Sequence, residues 1–197
     1  MNKAAKIARA MRITAYHEAG HLIAAKRLVI GYYEVQLAPP DASAIKDNRE
    51  REITAHGLTS GPAFNWNVGC NHISDIRMPE DGDIIRAMIR DQGLRQMAVS
   101  MGGIVSEARI ARSSFIAVVL GGGRDDWDEA GSIARFLSSS DDETKLLLTQ
   151  AERVARAVFR RNWETVAALA DALLRGELVD SSRPELAGIE YLGTLPL

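Results

Sequence analysis

With 197 residues the chain is long enough to bury a real core, and 46% hydrophobic with 25% charged residues excludes a disordered or low-complexity tract. A net charge of -2 provides no basic field for nucleic acid or an anionic lipid surface. A single cysteine, Cys70, excludes an internal disulfide framework and suits a reducing compartment, so a cytoplasmic location is expected.

The N-terminal stretch from Met1 to Arg9 is mildly basic but leads into no apolar segment of signal-peptide type. From Ile7 to Leu28 the pattern is helical. Ile13, Tyr16, Gly20, Ile23, Ala24 and Leu28 recur at three- and four-residue spacing, and Gly31 is the expected stop. Tyr33, Val35 and Leu37 then alternate with polar residues as in a half-buried strand, which Pro39-Pro40 ends.

Residues 41–80 are the least regular part. They hold a charged stretch from Lys46 to Glu52, a second expected strand from Ile53 to Thr59, and a loop around Gly61-Pro62 and Asn65 to Asn71. From Glu80 one helix or a helix pair runs to about Ile110, with Gly93 and Gly102-Gly103 as breaks or points of close packing. Phe115 to Leu120 reads as a short strand or buried connection. It is the longest apolar run, far below the ~20 residues of a spanning helix, so no membrane segment is expected.

Gly121-Gly122-Gly123 is a loop, followed by a helix from Asp126 to Leu137. Ser140-Asp141-Asp142-Glu143 is a capping box that opens a helix to about Arg161. A last helix spans Trp163 to Arg175 and stops at Gly176. The apolar stripe from Leu146 to Leu174 reads as packing surface, and Trp127 and Trp163 as packing anchors. The expected fold is mainly α with a small β-sheet, in a single domain. Residues 1–135 would form a metal-site part and 136–197 a set of C-terminal helices.

The chemistry concentrates in His17-Glu18-Ala19-Gly20-His21, a His-Glu-x-x-His pattern. On a helix, residues four apart share one face, so two imidazoles can grip one cation, and neutral imidazole suits Zn²⁺. Glu18 follows the first ligand and can act as general base toward water polarised by the metal. The bland alternative is a surface helix with two solvated histidines. The bare pattern arises by accident in on the order of one in a hundred chains of this length, and the helical surroundings and Gly20 add to it.

A catalytic zinc needs a third protein ligand. Arg27 stands where an extended pattern would place a third histidine. His56, His72, Glu50 and Glu52 are candidates in the irregular segment, where exposed loop or surface residues are the ordinary reading. Asp125 and Asp126 open a helix directly after a glycine turn, either as a simple N-cap or as a carboxylate aimed at a neighbouring site. Spacing alone does not choose among these. Cys70 and His72 form a Cys-x-His pair without further partners, which is poor support for a second metal.

Thr14-Ala15-Tyr16-His17-Glu18-Ala19-Gly20-His21 resembles the Ala-Tyr-His-Glu-Ala-Gly-His signature of the peptidase domain of FtsH-type, membrane-anchored AAA zinc proteases. Met101 to Ala108 is similar to that family's Gly-Gly-Arg-x-Ala-Glu-Glu segment. Gly122 to Ala130, continuing to Ile133-Ala134-Arg135, is similar to its Gly-Ala-x-x-Asp-x-x-x-Ala segment. The first signature is the most specific of the three.

The resemblance covers almost the whole chain and implies an FtsH-type zinc peptidase domain, with the His-Glu-x-x-His helix followed by a C-terminal helical bundle. It implies Zn²⁺ held by His17, His21 and Asp126, the last at the position four before the matching alanine, with Glu18 as general base. It also implies an edge strand beside the zinc at Gly57, Leu58 and Thr59, where an extended polypeptide substrate could pair its backbone; an ordinary structural strand is the alternative. The departures are Ile104 in place of the family's Arg, the apolar Phe115 to Leu120, and the absence of any Gly-x-x-x-x-Gly-Lys-Ser/Thr.

The expected function is therefore a zinc metalloendopeptidase acting on unstructured polypeptides. The alternative is a catalytically silent module that binds zinc and peptides or a partner protein. Folded substrates would require a separate ATPase partner. The family's peptidase domains pack as hexameric rings, so a homo-oligomer is one expectation and a monomer another.

Overall fold

The computed structural model describes residues 2–29, 31, 33–39, 45–46, 52–53, 57–61, 73–75, 82–193 and 195. The fold is mainly helical with a small antiparallel sheet, as the sequence patterns suggest. Helix α1 (Lys3–Leu28) starts a turn before its apolar periodicity because Asn2 caps it, accepting a hydrogen bond from the Ala5 amide at 2.8 Å. Its first turns are exposed, whereas every residue from Ala15 to Ala25 is buried. A helix buried on all sides lies inside the core rather than on it.

Helix α2 (Gly82–Ala111) runs antiparallel to α1, since Leu28 meets Arg95, Gly20 meets Gly102 and Tyr16 meets Ser106. It is continuous, so Gly93 and Gly102-Gly103 are sites of close approach and not breaks. A methyl group on Gly20 would lie 2.6 Å from the Gly102 carbonyl oxygen and 2.7 Å from Ser106 Cβ. One on Gly102 would lie 2.9 Å from Ala24 Cβ. The two backbones are thus as near as glycine permits, and the Ser106 hydroxyl stitches them by donating to the Tyr16 carbonyl at 2.6 Å.

Strands β1 (Glu34–Leu37), β4 (Gly57–Ser60) and β5 (Val179–Asp180) form one antiparallel sheet in the order β4-β1-β5, with Val35 opposite both Thr59 and Val179. Strands β2 (Ile45–Lys46) and β3 (Glu52–Ile53) pair separately. The single strand expected from Ile53 to Thr59 is therefore two strands in two sheets. β5 has too few residues to show alternation and is held by its ladder to β1.

Phe115 to Leu120 is neither a strand nor a buried connection. It forms a short helix, α3 (Phe115–Val119), because Ser114 caps it, its hydroxyl accepting from the Ala117 amide at 3.1 Å. Only Val118 is buried there, and Leu120 is 81% exposed. Helix α4 (Arg124–Leu137) follows the glycine turn.

The two closing helices expected on either side of Asn162 are one helix, α5 (Asp141–Leu174), kinked where Asn162 adopts φ -120° and ψ 16°. Its side-chain amide takes the Val158 carbonyl at 2.6 Å, the acceptor a regular helix would give to the backbone. Ser140 caps the start by accepting from the Glu143 amide, while the Glu143 carboxylate reaches back to the Ser139 amide. At the far end Gly176, at φ +78°, closes the helix as the Glu177 amide reaches the Ala172 carbonyl. One apolar cluster joins α1, α2, α4, α5 and the sheet, so residues 136–197 share their core with the rest.

Among the described residues no helix is long and apolar enough to cross a membrane. Gly20→Ala is expected to destabilise the protein by about 1–3 kcal/mol, because backbone and not a flexible side chain blocks the new methyl. Gly188→Ala, which meets nothing within 4 Å, should leave the melting temperature unchanged. Thermal unfolding followed by circular dichroism checks both.

Candidate metal centre

The four-residue spacing on α1 brings His17 and His21 to one face, with their Nε2 atoms 3.0 Å apart. The first turn of α4 delivers Asp126 to the same point. Its Oδ2 is 2.9 Å from His17 Nε2 and its Oδ1 is 3.3 Å from His21 Nε2. One donor atom from each of the three residues lies within 4.8 Å of the others. Both histidines are buried and Asp126 is half-buried.

Each imidazole is held from behind. His21 Nδ1 lies 2.9 Å from the Val99 carbonyl, which can only accept, so the proton sits on Nδ1 and Nε2 is left as the donor atom for a metal. His17 Nδ1 lies 2.9 Å from Glu107 Oε2, which imposes the same tautomer. Gly103 of α2 faces the same point, and a Cβ there would overlap both Nε2 atoms. That empty space is what the donors share.

The start of α4 is fixed from the other side. Trp127 meets Phe115 edge-on with ring centroids 5.9 Å apart, which ties α4 to α3. A side chain at Gly123 would come within 2.9 Å of Ile104 Cγ1, so the turn lies close against α2. Asp126 then occupies the first helical turn, where the helix dipole favours a carboxylate. Asp125, its neighbour, is exposed and stands outside the donor cluster.

Burial alone would lower the His17 pKa, but hydrogen bonds to Asp126 and Glu107 outweigh it and hold the value up at about 10. Burial also acts to lower His21, and the Asp126 charge prevails and raises it. Burial would raise Asp126, yet the two histidines hold it well below the usual carboxylate range. Protons between buried acceptors therefore occupy the place where a cation fits. Two imidazole nitrogens, one carboxylate, anchored Nδ1 atoms and the room above Gly103 are a donor set that could hold a metal ion through His17, His21 and Asp126.

Glu18 lies beside this cluster. Its Oε2 accepts a 2.7 Å hydrogen bond from the Thr59 hydroxyl of β4. Two residues away along the strand, a Cβ on Gly57 would lie 2.6 Å from Glu18 Cγ, so β4 turns the same face to Glu18 at both positions. Gly57, Leu58 and Thr59, singled out above for substrate, line a cleft of about 740 Å³ together with His17, Glu18, His21 and Asp126.

His56, His72, Glu50 and Cys70 lie outside the described residues, and Glu52 is described only through its backbone in β3. Sequence reasoning did not assign Glu107 and Val99 as anchors of the imidazoles, nor Thr59 as the partner of Glu18. The one local signal was the Gly102-Gly103 pair inside an otherwise helical pattern, which marks where α1 must approach α2. No protein-family model matches the chain, and no curated protein matches it.

Glu107→Gln is expected to weaken metal binding by roughly 10–100-fold, as loss of a ligand's outer partner commonly does. Because His17 holds its proton up to about 10, a metal must displace protons. Affinity for Zn²⁺ should therefore rise with pH, and binding should release protons. Calorimetry in buffers of different ionisation enthalpy reads both. Affinity that does not change with pH would contradict the donor set.

Proposed function

We propose that this chain is a zinc-dependent endopeptidase of FtsH type that hydrolyses unstructured polypeptides. The observation that carries the reading is the convergence of His17, His21 and Asp126, from two helices far apart in sequence, beside Glu18 in an open cleft. Two nitrogens and one carboxylate are a ligand set of catalytic zinc, which keeps a further position open. Bound there, Zn²⁺ supplies the Lewis acidity that polarises a carbonyl and acidifies water.

On this reading Glu18 moves the proton. Thr59 occupies Oε2, and Oε1 has no hydrogen-bond partner among the described residues. Oε1 is thus the oxygen that accepts a proton from the attacking water and passes it to the departing amine. The Thr59 hydroxyl fixes the carboxylate so that it does not reorganise during transfer. Gly57 leaves Glu18 its space.

The sheet order leaves β4 at an edge among the described residues. An extended polypeptide can add to that edge by backbone hydrogen bonds, which gives affinity without demanding a sequence. A segment held inside a folded domain is not free to lie extended along that edge. Substrates on this reading arrive unfolded, and a separate ATPase is the partner that would deliver folded ones.

Glu18→Gln should lower cleavage of an unfolded, dye-labelled protein by about 10²–10⁴-fold while metal content stays near that of the wild type. His17→Ala and Asp126→Ala should lose the metal itself, read by elemental analysis. Zinc-loaded wild type that binds peptides without cleaving any would sink the enzymatic reading and leave a peptide-binding module in its place.

A further inference from the structure

Next to the metal centre the cleft wall carries polar groups that the proposed hydrolysis does not use. Ser100 follows Val99, the anchor of His21, and is buried. Its hydroxyl donates to Glu129 Oε2 at 2.8 Å. Glu129 stands three residues after Asp126, and therefore about one turn along the same face of α4. Its carboxylate lies beside the reacting centre, held by a serine whose backbone belongs to the same wall.

Two further side chains that line the cleft have no side-chain hydrogen bond among the described residues. Gln96 lines the cleft, is only 9% exposed, and its amide makes no hydrogen bond among the described residues. Tyr33 lines it as well, and its buried hydroxyl has no hydrogen-bond partner among the described residues. A buried polar group without a partner is unfavourable. The Tyr33 hydroxyl is buried, whereas the Gln96 amide borders the cleft with its hydrogen-bonding capacity unused among the described residues.

The charge of the cleft says which ligand. Glu18, Glu107, Asp125, Asp126 and Glu129 line it, and no Lys or Arg does among the described residues. A bound dication and two neutral imidazoles leave that lining negative. The Glu129 carboxylate, the Gln96 amide oxygen and the Tyr33 oxygen are acceptors. A guanidinium or an ammonium offers only donors and brings the opposite charge. A glutamate side chain would meet repulsion, and an apolar one would leave the Gln96 amide and the Tyr33 hydroxyl without a partner among the described residues.

We infer that Glu129, with Ser100, Gln96 and Tyr33, forms a subsite one helical turn from the metal centre that takes an arginine or lysine side chain of the bound polypeptide. The inference rests on the peptidase reading for the presence of a polypeptide in the cleft, and its test reads binding without turnover.

Short labelled peptides that differ at one scanned position (Arg, Leu or Glu) would be titrated into zinc-loaded Glu18→Gln protein, with fluorescence anisotropy as the readout. At one position the Arg peptide should bind about tenfold more tightly than the Glu peptide, with Leu between. Glu129→Gln in the same background should collapse that difference, and Glu129→Lys should reverse its sign. Glu129 is exposed, so both variants should fold, as circular dichroism would verify. A ranking that survives Glu129→Lys, or no peptide binding at all, overturns the subsite. The expected ranking together with no cleavage by the wild type would leave the subsite standing and remove the peptidase reading.

Discussion

The whole centre depends on two helix backbones lying almost in contact. Gly20 of α1 and Gly102 of α2 meet where neither can carry a side chain, and Gly103 faces the imidazoles directly. Only at that separation can the Val99 carbonyl reach His21 and the Glu107 carboxylate reach His17. A wider crossing would leave both rings free to rotate, and two imidazoles on one helix face would be a loose pair without a fixed tautomer.

This close approach also sets the electrostatics. Two imidazoles and a carboxylate share a buried point, and burial by itself disfavours the charged form of each. Mutual attraction overcomes that cost, so the three groups titrate as a coupled set rather than as independent residues. A divalent cation satisfies the same demand with coordinated lone pairs in place of shared protons. Binding a cation and releasing protons are then one event.

The cleft is lined by residues of α1, α2, α4 and β4. Glu18 stands on the buried part of α1, and its carboxylate accepts a hydrogen bond from Thr59 of the sheet. The neighbouring wall carries Ser100 of α2 and Glu129 of α4, bonded to each other, and Gln96, whose side-chain amide has no hydrogen-bond partner among the described residues. The kink at Asn162 and the capped ends of α5 keep the supporting helix against α1 and α2.

Local patterns carried a large share of this in advance. Three- and four-residue apolar spacing marked the helices, alternation marked β1, and Ser140 with Gly176 marked the two ends of α5. His17, Glu18 and His21 were legible because a helix alone determines that they share a face or adjoin it. What the chain order could not express was which distant groups meet them. Asp126 stood among several third-ligand candidates on spacing alone, and only the resemblance to a zinc-peptidase family singled it out. The structure brings it to the histidines by packing α4 against α2. Glu107, Val99 and Thr59 went unassigned for the same reason, and Phe115 to Leu120 misled because apolar β-branched residues suit a strand only when a strand lies beside them. Helical periodicity is a property of neighbours in sequence and survives without tertiary contacts. A ligand set assembled across more than one hundred residues exists only once two glycine-faced helices have closed together.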